Sequence, residues 1–172
     1  MRNFRIFLMS VAMLMASTSL MAQVERVTTV LEGRGLVGMY GFSCTMTITP
    51  DGNGIIQGRA IKEMSAVTIK FKADPSVLYS AIKGTNFMWS YIKDATVSPF
   101  TMMVNDKNNK GKKVREDVTP TGSAKFNGMP ETSGSDIKFY VRFPMKVSNE
   151  QSVFDINFTF NKTNVAKKYQ SE

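Results

Sequence analysis

Between residues 136 and 160 apolar and polar positions alternate almost without a break, in DIKFYVRFPMKVSNEQSVFDINFTF. A two-residue period puts successive side chains on opposite faces of a strand. Ile137, Phe139, Val141, Phe143, Met145 and Val147 therefore share one face of a first strand, and Phe154, Ile156, Phe158 and Phe160 share one face of a second. The polar run between them predicts a hairpin. With Val147 opposite Ser152, Met145 meets Phe154, Phe143 meets Ile156, Val141 meets Phe158 and Phe139 meets Phe160, while Arg142 meets Asn157 and Tyr140 meets Thr159 on the outer face. A slip of one residue would bury Lys138 and Arg142, or Asp155 and Asn157, so the inward face is well specified. Pro144 has no N–H to give to a ladder and predicts a bend in the strand or incomplete closure there.

The same period recurs upstream. In FSCTMTIT, Phe42, Cys44, Met46 and Ile48 lie opposite Ser43, Thr45, Thr47 and Thr49. PDGNG then turns the chain and IIQGRAIK returns beside it. VTIKFKA sets Val67, Ile69, Phe71 and Ala73 against Thr68, Lys70 and Lys72. Weaker strand signals at VTTVL, NFMWSYI, TVSPFTMMV and TGSAKFNG bring the total to about nine. DPSVLYSAIKG departs from the period: Asp74 as cap, Pro75 at the first helical position and Gly84 past the end predict one short helix, with Leu78, Ala81 and Ile82 leaning on the sheet. Antiparallel strands with polar outer faces predict an all-β fold, an antiparallel barrel of about eight or nine strands, with a two-layer β-sandwich as the alternative.

The N-terminus changes the picture from fold to compartment. MRNFRIFLMSVAMLMASTSLMAQ places Arg2 and Arg5 before an apolar run from Ile6 to Met15, with small or polar residues after it. This pattern predicts a signal peptide over residues 1–22, cut after Ala22 or a few residues earlier. The run is too short to cross a bilayer comfortably, and no second apolar span follows. Residues 23–172 then form a single antiparallel β domain, exported to the periplasm, the outer envelope or the extracellular space. The formal charge falls from +8 to +6, because the signal carries two basic residues and no acidic one. A balance of this size in an exported chain fits solubility or attraction to anionic surface polymers, rather than nucleic-acid binding. Its densest basic stretch, NDKNNKGKKVRED at 105–117, reads as a solvated loop or a docking patch for an envelope partner. Cys44 is the lone cysteine, so no intramolecular disulfide forms, and its inward position predicts a buried, inert thiol.

Candidate chemistry is sparse. The chain has no histidine, which excludes Ser-His-Asp and Cys-His machinery and histidine zinc sites. Glu116 and Asp117 are adjacent and point apart, so they form no catalytic carboxylate pair. GRGLVG at 33–38 satisfies G-x-G-x-x-G, yet strand period continues after it where the dinucleotide fingerprint requires a helix; these glycines let a curved strand bend or bulge. PDGNG lacks the remaining ligands of a calcium loop. Methionine thioethers can hold Cu(I), but core filling accounts for those of the mature chain. The chain reads as non-enzymatic, with no catalytic residue, cofactor or metal. Tyr79 in the helix, with Phe87, Trp89 and Tyr91 on one face of NFMWSYI, is the candidate ligand-binding group; core packing is the competing role.

With an export signal ending SLMAQ, a single all-β domain, and the terminal strands DIKFYVRF and VFDINFTF, the chain resembles the small exported calycin-like, or lipocalin-like, proteins of Bacteroidetes. The resemblance implies a barrel and the binding of an apolar ligand. It carries no functional residue over, since the G-x-W signature is absent and Trp89 stands in NFMW. Two functions are expected: a carrier of a small apolar molecule inside the barrel, or a solid-cored interaction module docking through basic loops.

Overall fold

The computed structural model describes residues 28–49, 51–73, 92–128 and 136–161. The expected signal segment, the helix expected after Asp74 and all of NFMWSYI except Ile92 lie outside the described residues. Ten strands are described: β1 (Thr29–Val37), β2 (Tyr40–Ile48), β3 (Asn53–Gly58), β4 (Val67–Lys72), β5 (Lys93–Val97), β6 (Phe100–Asn105), β7 (Lys113–Pro120), β8 (Lys125–Gly128), β9 (Asp136–Val147) and β10 (Glu150–Asn161). All pair antiparallel in one sheet of order β5-β4-β3-β2-β1-β10-β9-β7-β6, with β8 also on β9. Every described strand thus belongs to a single strongly curled sheet, the barrel-like arrangement expected first. Two strand assignments need correction. TVSPFTMMV is two strands, parted at Ser98 and Pro99, and KVRED, expected within a loop, opens β7. No described helix is long and apolar enough to cross a membrane.

The sheet curls because its two end strands find other partners. Beyond β6, the segment between β3 and β4 supplies a short pairing: Met64 faces Met102, Ser65 N–H donates to the Thr101 carbonyl at 2.9 Å, and Met103 N–H donates to the Glu63 carbonyl at 2.7 Å. Beyond β5, the Ala95 carbonyl accepts from Ala124 N–H at 2.8 Å, just ahead of β8. The result is a strongly curled, barrel-like sheet.

Pro144 marks where β9 changes partner. Residues 145–147 of β9 face β7, and 139–142 face β8. The Pro144 carbonyl accepts from Thr121 N–H at 2.9 Å, so the missing N–H would point to that same side, into the break between β7 and β8, where no acceptor needs it.

Inside, the alternation delivers what it predicts: Phe42, Cys44, Met46 and Ile48, then Val67, Ile69, Phe71 and Ala73, and the five inward side chains from Ile137 to Met145 are all buried. Phenylalanine rings run in contact across the interior. Phe71 of β4 meets Phe126 of β8 at 5.0 Å, Phe126 stacks on Phe139 at 5.4 Å, and Phe139 reaches Phe158 at 5.4 Å and Phe160 at 5.8 Å. Phe42 of β2 closes the series edge-on to Phe158 at 6.3 Å.

These rings have room because glycines stand opposite them. Gly33 faces Phe160, Gly35 faces Phe42, and Gly54 faces Phe71 in the strand registers. A Cβ on Gly35 would lie 2.2 Å from the Phe42 ring. The β1–β2 register runs unbroken from Thr29 to Val37. Of the expected bend or bulge, no bulge interrupts the β1–β2 pairing, and the glycines of GRGLVG at 33 and 35 serve as seats for aromatic rings from neighbouring strands.

The β9–β10 hairpin keeps its predicted face but not its predicted register. Val147 pairs with Glu150, two residues from the expected partner, so that Phe143 meets Phe154, Val141 meets Ile156 and Phe139 meets Phe158. The turn is only Ser148-Asn149, with φ of 49° and 67°, the paired left-handed geometry that matches strand twist. A shift of two preserves which side chains face inward.

This register also brings Arg142 opposite Asp155. The guanidinium donates through Nε at 2.8 Å and through one terminal nitrogen at 2.7 Å to the two carboxylate oxygens. Those hydrogen bonds, more than bare charge, hold the Asp155 carboxyl below the usual range. A depressed folded-state pKa contributes stability above the unfolded-state value of about 4 and loses it as pH falls through the folded one. Between pH 6 and pH 3, wild type is therefore expected to lose slightly more stability than Asp155→Asn. Urea midpoints at each pH measure this, and equal losses in the two proteins would show that the pair contributes nothing. The exposed setting keeps the effect small.

Candidate functional site

Inward positions near the ends of β6, β7, β9 and β10 are less crowded than the ring-filled level. There the structure holds a cavity of about 440 Å³. Its floor is Met102 and Met145, both buried, and its walls are Val104, Val114, Val147 and Phe154, all half-buried. Phe154 packs edge-on against Phe143 at 6.1 Å, which joins the wall to the core.

The rim is polar and held from both sides. The connection between β6 and β7 folds around Asp106, whose carboxylate accepts from Asn108 N–H at 2.8 Å and from the Asn109 amide at 2.9 Å. Those hydrogen bonds hold the Asp106 carboxyl below its ordinary range. Lys107, next along, pairs with Glu150 at the start of β10 and so spans the mouth. Away from the cavity, on the outer face of β7, Lys113 donates to the Tyr40 hydroxyl at 2.8 Å and lies over its ring. Arg115 donates to Thr101 Oγ1 at 3.0 Å and to the Lys62 carbonyl at 2.6 Å.

Glu116 is the exception among these charges. It shares the inward face of β7 with Val114 and Val118, lies half-buried opposite Met102 and lines the cavity. Its carboxylate has no hydrogen-bond or ion-pair partner among the described residues. The alternation separates it from outward, exposed Asp117, as the sequence predicts. The sequence reading did not single out Glu116 as a site residue. The signal was a carboxylate at an inward position between two valines, hidden by the charges around it.

The sequence-predicted ligand group, Tyr79, Phe87, Trp89 and Tyr91, lies outside the described residues, so the cavity stands on other side chains. Cys44 is 3% exposed, and burial pushes its thiol up to about 12, which leaves almost no thiolate near neutrality. At the β2–β3 turn the Asp51 carboxylate is engaged by Thr49 Oγ1 and the Asn53 amide, which makes it a turn clasp. A wider concavity of about 740 Å³ lies on the outer face of β1, β2 and β10, where Arg34, Ser43, Lys138, Asn157 and Thr159 occupy the outward positions. It is a solvated sheet face without the two connections that enclose the mouth cavity. No protein-family model, no curated protein and no solved structure matches this chain.

Proposed function

We propose that this is an exported, non-enzymatic binding protein that seats a small apolar molecule in the mouth of its barrel. One observation carries the reading: a cavity of about 440 Å³ with an apolar floor and walls beneath a polar rim. That volume falls within the range of small-molecule sites, which pair mostly apolar linings with a few polar groups. The seat lies beside the ring series, which fills the interior with phenylalanine side chains. The alternative, a solid-cored module docking through basic residues 107–115, is weaker. Lys107, Lys113 and Arg115 of that stretch are committed to Glu150, Tyr40, Thr101 and the Lys62 carbonyl.

Titration with the neutral apolar probe N-phenyl-1-naphthylamine tests the proposal. Wild type is expected to enhance its fluorescence saturably, near one probe per chain. Val147→Trp and Val104→Trp, which fill the cavity from different strands, are expected to weaken binding at least about tenfold, while Lys112→Ala on the outer loop leaves it unchanged. Absence of saturable enhancement in wild type would overturn the proposal. So would full binding by both tryptophan variants with wild-type circular dichroism.

A further inference from the structure

We infer that the cavity selects a cationic amphiphile, an apolar chain ending in a protonated amine, with Glu116 as the group that receives the charge. This rests on the binding function proposed above and names the ligand class of that same site.

The argument begins with charge placement. The chain as a whole is basic, at +8, yet three carboxylates, Asp106, Glu116 and Glu150, line this cavity against one ammonium, Lys107. Two of the three are already committed: Asp106 holds its own turn together, and Glu150 pairs with Lys107. Glu116 has no such partner among the described residues. A carboxylate left unpaired among apolar cavity walls is the group on which a cation from the cavity would land.

Geometry sets the rest of the ligand. Glu116 lies between Val114 and Val118 on the inward face of β7 and opposite Met102 of β6. An ammonium at its carboxylate would leave the attached chain among Met102, Val104, Val147 and Phe154. A hydrogen bond to a charged group is roughly twice as strong as a neutral one, so the amine end supplies orientation and the chain supplies burial. The net positive charge of the protein repels a cation at long range, so selectivity for one must be local.

Displacement of N-phenyl-1-naphthylamine by decylamine and by decanol, at neutral pH and below aggregation, tests this. Alkyl amines are protonated there, as lysine is, and the two competitors share one chain. Decylamine is expected to displace the probe at about tenfold lower concentration than decanol. Glu116→Gln, which keeps shape and removes charge, is expected to abolish that preference while holding decanol within about twofold. Equal displacement by the two compounds in wild type, or a preference that survives in Glu116→Gln, overturns the cation inference and leaves the apolar site standing. Failure of the probe itself to bind overturns both.

Discussion

Phe139→Ala is expected to lower the unfolding free energy by about 4 kcal/mol, the middle of the range for removing a buried ring. Phe139 is fully buried and touches Phe126, Phe158 and Phe160, so its ring joins β8, β9 and β10. The cost combines lost transfer energy with a hole that stiff neighbouring rings cannot collapse to fill. Against a typical total of about 5–15 kcal/mol, this is a large fraction, and at this chain length it corresponds to a fall in Tm of roughly 8–16 °C. Urea unfolding of wild type and variant measures it. Phe154→Ala, at a half-buried ring on the cavity wall, is expected to cost about half as much. Equal costs at 139 and 154 would mean that the ring series is not the centre of the core.

Gly35→Val is expected to cost about 3 kcal/mol although it adds only hydrocarbon. The new Cβ would meet Phe42 Cζ at 2.2 Å, and the same ring also covers Gly58, where a Cβ would lie 2.5 Å from it. Phe42 thus covers two glycines, and what the sequence saves in side chain on β1 and β3 it spends in ring on β2. A double-mutant cycle isolates the cause: in a Phe42→Leu background the same Gly35→Val change is expected to cost at least about 1 kcal/mol less. Gly41→Val provides the contrast, since nothing lies within 4 Å of a Cβ there; it is expected to stay within about 0.5 kcal/mol of wild type. If the costs at positions 35 and 41 match, strand conformation and not ring seating explains the glycines.

The inward faces were legible because a two-residue period is local, and each of Phe42, Ile69, Phe139 and Phe158 announces its side through its neighbours alone. Register was less so. The polar run SNEQS between Val147 and Val153 reads as a wide turn, whereas Ser148 and Asn149 complete the turn in left-handed conformations and release Glu150 and Gln151 into the strand. Strand β7 was concealed for a related reason: Lys113, Arg115 and Asp117 face outward, so only Val114 and Val118 spoke for burial, with Glu116 between them. The division of β9 between β7 and β8 is a long-range fact that no local pattern encodes, although Pro144 marked its place. The cavity assembles from four strands, and Glu116 acquires meaning only once Met102, Val147 and Phe154 have been brought around it.

The pairing of β1 with β10 also sets the order in which this chain can assemble. The β9–β10 hairpin needs only its own two-residue turn, and such elements form within microseconds. Strand β1 has β2 as an early neighbour, but its other edge waits for residues 157–160, and joining segments so far apart carries the largest loop-closure entropy in the fold. Until that last described strand exists, Gly33 has no Phe160 ring to receive and the curled sheet cannot close. A nascent chain of this topology therefore stays open until residues 157–160 have emerged to meet β1.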